Sequence, residues 1–178
     1  DYDNLLGECT ASSGANCEVG DVFNGNAVTV RGVEFMAATE LAGSNVPLEL
    51  AYTYIDGSFD TDIADTAFFG DVSAGDPIPY IPKHQLYAMV GFVQPQWAVH
   101  LSVNFVDETC VRAACGVFEM TDSSFTVDIA GRWSVNDNLG LFARVENLAD
   151  SLDIVGLHPY GARPNKSRTA LVGLDLSF

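Results

Sequence analysis

Apolar and polar residues alternate with period two over seven stretches of this chain. In residues 27–41, Val33, Phe35, Ala37 and Leu41 oppose Gly32, Glu34, Met36 and Glu40. In 46–56, Val46, Leu48, Leu50, Tyr52 and Tyr54 oppose Pro47, Glu49, Ala51 and Thr53; in 83–94, Leu86, Ala88, Val90 and Phe92 oppose Gln85, Tyr87, Met89 and Gly91. Residues 97–108 set Trp97, Val99, Leu101, Val103 and Phe105 against His100, Ser102, Asn104 and Glu108. Residues 125–135 set Phe125, Val127, Ile129, Trp133 and Val135 against Thr126, Asp128, Arg132 and Ser134. In 139–147, Leu139, Leu141, Ala143 and Val145 oppose Phe142, Arg144 and Glu146; in 169–178, Ala170, Val172, Leu174, Leu176 and Phe178 oppose Thr169, Leu171, Gly173, Asp175 and Ser177. Successive side chains on a strand point to opposite faces, so this pattern predicts an all-β chain of seven strands, each with one apolar face. Each stretch reaches the ~9–11 residues that a tilted strand needs to cross a bilayer.

The connections carry independent information. Gly43-Ser44-Asn45, Pro95-Gln96 and Asp137-Asn138 are short and made of turn formers. Residues 57–82, 109–124 and 150–168 are long. Short and long alternate strictly, so an antiparallel meander puts all short turns at one end and all long loops at the other. That is the layout of a transmembrane β-barrel, with short periplasmic turns and long extracellular loops, and a soluble sandwich has no reason to sort its loops so. In this orientation the last strand runs inward and leaves Phe178 at the periplasmic side. Trp97, Trp133 and Phe92 then fall at one interface and Tyr54 and Phe105 near the other, as an aromatic belt requires.

Composition agrees without deciding. Hydrophobic residues make up 48 % and charged residues 18 % of 178, against roughly 25 % charged in soluble proteins. No apolar run approaches the ~20 residues of a membrane helix. The net charge of −16, from 24 acidic and 8 basic residues, argues against nucleic acid as a partner, since phosphates would be repelled. Its carboxylates crowd the loop segments, which reads as solvated acidic loops. The chain opens without Met on a loop-like sequence and is expected to be the C-terminal piece of a longer protein.

Cysteines occur as two close pairs, Cys9 with Cys17 and Cys110 with Cys115. Neither pair is CxxC and no histidine stands at zinc-ligand spacing, so no metal site is expected, and two local disulfides in an oxidising compartment are the simplest reading. No nucleophile elbow, P-loop, HExxH or Rossmann glycine pattern is present, and no enzyme activity or cofactor is expected. On the polar face, Asp128, Arg132, Arg144 and Glu146 lie on adjacent strands, where charges can pair across strands in a wet lumen.

The ending resembles the closing region of TonB-dependent outer-membrane receptors: Asn147-Leu148 and Asp150 after the penultimate strand, Tyr160-Gly161 and Arg163-Pro164 in the last loop, and a final strand ending in Phe178. Gly32 and Glu34 upstream, and Pro79, Pro82 and His84, are similar to further elements of that family, and the cysteine-containing opening is most similar to its ferric-citrate and ferric-siderophore subgroup. The resemblance implies a 22-stranded barrel with an N-terminal plug, of which residues 1–178 supply about the last seven strands, the plug being absent from this chain. It implies uptake of a ferric chelate across the Gram-negative outer membrane, powered by the TonB complex through the missing N-terminal part. Iron would be present only in the transported chelate, and the partners would be outer-membrane lipid, the rest of the barrel and the barrel-assembly machinery. That machinery is expected to read the closing residues Leu174, Leu176 and Phe178.

An anionic chelate would call for arginines at the mouth. Arg112, between the second cysteine pair, and Arg163 and Arg168 beside Tyr160 are the candidates, with Arg163 also able to brace its own loop. The prevailing acidity fits a cationic or neutral chelate as well. The competing readings are a passive porin-like or adhesin-like barrel and a secreted all-β binding module.

Overall fold

A computed structural model describes residues 3, 6–9, 18–24, 26–66, 70–113, 115–157 and 161–177. Seven long strands form one antiparallel sheet: β1 (Val28–Glu40), β2 (Pro47–Phe59), β3 (His84–Val93), β4 (Trp97–Val106), β5 (Ser124–Asn136), β6 (Leu139–Glu146) and β7 (Thr169–Leu176). Each pairs with its sequence neighbour, so the sheet is a simple meander with β1 and β7 at its edges. No helix among the described residues is long and apolar enough to cross a membrane, which says nothing of crossing by strands.

The register joins the apolar stripes into one continuous face. Across the sheet run the rows Ala37, Leu50, Ala88, Val103 and Val127, and, beside them, Phe35, Tyr52, Leu86, Phe105 and Phe125. Towards the other edge Ile129, Val145 and Ala170 continue one row, and Trp133, Leu141 and Leu174 another. This face is uncovered: Val33 is 64 % exposed, Trp133 53 % and Val172 78 %. Exposed apolar surface of this extent marks a contact with lipid or another apolar body.

The turn ends form as their residues dictate. In the first turn Gly43 takes φ +73°, and the Ser44 amide and hydroxyl both donate to the Leu41 carbonyl. In the third, the Asn138 amide donates to Asn136 Oδ1 at 2.9 Å. One departure from strict alternation occurs beside it. The pairing passes from Gly140↔Ser134 to Leu139↔Asn136, so Val135 is an extra residue in a β-bulge.

The long connections are not plain loops. Ile63–Thr66 pairs with Gly70–Val72, Ile154–Gly156 pairs with Arg163–Pro164, and Leu6–Glu8 pairs with Val22–Asn24 near the start. β2 also extends beyond the sequence expectation to Phe59, because the returning loop hydrogen-bonds to it: Phe59 N–H to Asp76 C=O, and Ile78 N–H to Gly57 C=O.

The compact core is here, not in the sheet. Val28, Phe59, Val72, Ile78 and Ala113 are buried together, with Val30, Ile63 and Ile81 packed against them. Val28 pairs with Phe59 and Val30 with Gly57, so alternation puts this cluster on the polar-face side at the long-loop end. Burying Phe59 and Val28 contributes about 1.5–3 kcal/mol each, which folds the first two long loops over the mouth of the wall.

Candidate functional site at the long-loop end

All three long loops lie at the same end of the sheet and are tied to one another. Tyr80, at φ +61°, is a shared node: its amide donates to the Cys110 carbonyl in the second loop, and its hydroxyl accepts the Leu157 amide of the third at 3.4 Å. The second and third loops are further joined by the Asp122 amide to the Ile154 carbonyl and the Ile154 amide to Asp122 Oδ2, at 2.8 and 2.7 Å. Asn165 Nδ2 donates to Ser124 Oγ.

Between the first and second loops is a cavity of about 420 Å³ lined by Asp56, Ile78, Lys83, Asp107, Glu108 and Thr109 among others. Its charge is predominantly negative, with Lys83 Nζ held 3.5 Å from Asp56 Oδ1. Among the described residues no group of histidine, cysteine, aspartate and glutamate could hold a metal ion.

The cysteines brace this end. Cys110 and Cys115 form a disulfide with Cα atoms 5.5 Å apart, closing the short loop that carries buried Val111 and Ala113. Cys9 is buried and disulfide-bonded, and Cys17 lies outside the described residues.

Each described candidate arginine is held within its own surroundings. Arg112 Nε lies 3.6 Å from Glu119 Oε1 in the same loop. Arg168 pairs with Asp150 at 3.6 Å. Arg163 lays its guanidinium over Gly156, the one place in the third loop's strand pair where a missing Cβ makes room for it. Tyr160 lies outside the described residues, as does Phe178; Leu174 and Leu176 sit on the apolar face, paired with Leu141 and Leu139.

On the polar face the charges behave differently from cross-strand pairs. Arg144 pairs along its own strand with Glu146 at 2.9 Å, and Glu146 also takes Lys166 from the last loop. Asp128 spends a carboxylate oxygen on the Asn147 amide. Asn147 itself is 3 % exposed, with φ +51°, and is the centre of the polar network at this end, which periodicity gave no means of finding.

The apolar face shows two aromatic levels. Trp97 and Trp133 are directly paired near the short turns, Phe105 and Phe125 near the long loops, with only Val99, Leu101, Val103, Val127, Ile129 and Gly131 between. Tyr52 and Tyr54 join the upper level, and the Tyr52 hydroxyl is 2.8 Å from His84 Nδ1. Eight residues separate Trp97 from Phe105; at ~3.3 Å rise and ~40° tilt that is ~20 Å of height, close to the ~25 Å apolar band of an outer-membrane barrel.

Residues 1–148 match the family model described as TonB dependent receptor-like, beta-barrel. The chain belongs to that family. It is a family of transport receptors, not of enzymes. No curated protein matches the chain by sequence. Among solved structures, the siderophore receptor PiuA from Acinetobacter baumannii superposes with a TM-score of 0.71 at 20 % identity, over 84 % of this chain and 22 % of that one. The ferric citrate transporter FecA, unliganded, gives 0.73 at 17 % identity over 98 % and 27 %. The copper transporter OprC gives 0.64 at 18 % over 90 % and 25 %. The chain thus spans about a quarter of the length of these receptors, and the likeness establishes the fold: an antiparallel wall segment of a TonB-dependent receptor barrel.

Proposed function

We propose that this chain is the C-terminal barrel segment of an outer-membrane receptor that imports a ferric siderophore-type chelate using energy from the TonB complex. The observation that carries the reading is the wall itself: one unbroken apolar face between two aromatic levels, with every long loop gathered and cross-tied at one end. The apolar face meets lipid, the polar face lines the lumen, and the tied loops form part of the external mouth. The plug and the remaining strands of a 22-stranded barrel would come from sequence before residue 1.

The charge of the mouth narrows the ligand. Arg112 and Arg168 are already paired with carboxylates, and Asp56, Asp107 and Glu108 line the cavity. A long-range field of this sign attracts a cationic chelate, leaves a neutral one unsteered and repels ferric citrate. The likeness to a copper transporter favours a second reading, a metal cargo other than iron.

The test is the complete receptor, expressed in outer membranes and titrated by intrinsic fluorescence with ferric citrate, a neutral ferric hydroxamate, a cationic ferric chelate and copper. Tight binding of the neutral or cationic ferric chelate, with uptake lost when TonB is absent, supports the proposal. Uptake independent of TonB would replace it with the passive barrel, and binding of copper alone with the second reading.

A further inference from the structure

The alternation that lays β7 against β6 leaves its register open. A slip of one residue would turn Asp175 and its polar-face neighbours to the apolar face and Val172, Leu174 and Leu176 away from it, so burial opposes it. A slip of two residues keeps every side chain on its own face, so burial does not oppose it. The observed pairing nevertheless runs from Leu139↔Leu176 to Glu146↔Thr169 without irregularity.

Three contacts hold it there. At the loop end, the turn after β6 is a clasp. Asn147 Nδ2 donates to the carbonyls of Ser151 and Lys166 at 2.8 and 2.9 Å, and its Oδ1 accepts the Ser151 amide. The Asn147 amide reaches Asp128 on β5, and the Leu148 amide reaches the Val127 carbonyl. Asp150, at φ +56°, accepts the Arg168 amide on Oδ1 at 2.8 Å, just before β7 begins. In mid-strand the Phe142 ring fills the space over Gly173, where any Cβ would collide with it. At the short-turn end Asn138 Nδ2 donates to the Ser177 carbonyl at 2.7 Å, and the Ser177 amide returns to the Asn138 carbonyl.

We propose that these contacts form a register lock on the last strand. The clasp fixes where β7 starts, and the ring acts as a wedge: a two-residue slip would bring Leu171 or Asp175 beneath Phe142. The lock thereby determines which backbone groups β7 presents along its free edge to the strand that pairs there when the barrel closes. This rests on the chain being part of a closed barrel and not on any ligand, so its failure is separable from that of the transport reading.

The experiment is disulfide trapping in the complete receptor in outer membranes. Ala143→Cys with Val172→Cys reports the native register, and Ala143→Cys with Ala170→Cys or Leu174→Cys reports slips of two. Directly opposite positions lie within the ~4.4–6.8 Å span of a disulfide, whereas a two-residue offset adds ~7 Å along the strand and cannot bridge. With the lock intact only the native pair should cross-link. Adding Phe142→Ala, Asn147→Gly and Asn138→Ala, which remove the wedge, the clasp and the Asn138 side-chain bond to Ser177 while tolerating the backbone at 147, should raise slipped cross-links several-fold. Separately, Gly173→Ala should lower assembled receptor several-fold and Phe142→Ala should restore it. Native cross-links alone in the unlocked receptor would overturn the proposal, as would wild-type assembly of Gly173→Ala. If the unlocked receptor does not assemble, the Gly173→Ala rescue decides: recovery supports the lock, and no recovery overturns it.

Discussion

Leu101 and Ser102 are adjacent in sequence and should respond oppositely to the same charge. Leu101 lies on the apolar face of β4, flanked by Val90 and Ile129, four residues from Trp97 and four from Phe105. That places it ~10 Å from either aromatic level, at the middle of the apolar band. Ser102 faces the other way, between Met89 and Asp128. A lysine at the bilayer midplane of a barrel costs about 2–4 kcal/mol, while one opposite a carboxylate on a wet face gains or loses under ~1 kcal/mol. Leu101→Lys should therefore destabilise the complete receptor by at least ~1 kcal/mol more than Ser102→Lys, and by ~3 kcal/mol at the middle of these ranges, a difference of roughly 5-fold to over 100-fold in the folded-to-unfolded ratio. Denaturant titration of each variant in lipid vesicles, followed by tryptophan fluorescence, measures it. Equal midpoint shifts, or a larger loss for Ser102→Lys, would refute the face assignment on which the whole wall depends.

Cys110→Ser should cost about 2 kcal/mol locally by releasing a short closed loop; limited proteolysis should then cut within residues 107–123 while the barrel stays resistant. Asn147→Ala should destabilise by about 2–3 kcal/mol, because it strands the Ser151 amide and two carbonyls and puts a Cβ-bearing residue without Asn's local bonding at φ +51°. Asn147→Gly should lose somewhat less, and thermal unfolding of the two variants orders them. Association of a cationic ferric chelate should slow severalfold between 10 and 150 mM salt, as the Debye length falls from ~25–30 to ~8 Å, whereas an anionic chelate should not slow; stopped-flow quenching distinguishes them.

The sheet was legible because its information is local and repeated. A period of two in residues 97–108 needs no knowledge of any partner strand, and turn formers at Gly43 and Asp137-Asn138 mark the reversals. Loop lengths then gave the sorting. The mouth was not legible because its determinants are pairwise and distant. Phe59 reads as a loop residue until Asp76 and Ile78 return beside it and Val28 covers it. Tyr80 carries no signal in its neighbours, since what matters is its reach to Cys110 and Leu157. Asn147 is visible as part of a family-like phrase, yet its work depends on Asp128, Ser151 and Lys166, which lie on β5 and at the two ends of the third loop. The arginines show the same limit. Residue type suggested a ligand, whereas Glu119 and Asp150, both in plain view in the sequence, are the groups that hold Arg112 and Arg168.

The location of the core has a consequence for the chain in isolation. Nearly all the apolar burial is in the mouth, while the apolar face of the sheet is bare and β1 and β7 have open edges. Lipid can cover the face but offers no hydrogen-bond partners to the edges, and each unsatisfied backbone group in hydrocarbon costs several kcal/mol. About half the groups on an edge strand point outward, so two such strands, of 13 and 8 residues, leave on the order of twenty unpaired groups and a penalty of tens of kcal/mol. Lipid over the face leaves those groups unsatisfied, whereas pairing the edges with further strands removes the penalty. Residues 1–178 added to lipid vesicles without the rest of the barrel should therefore remain aggregated and protease-accessible, with cross-strand association between copies through β1 and β7. Co-refolding with the preceding barrel strands should yield a protease-protected, heat-modifiable species. Insertion of the isolated segment as a protected monomer would show that its edges can close on each other, and would remove the need for the remaining strands.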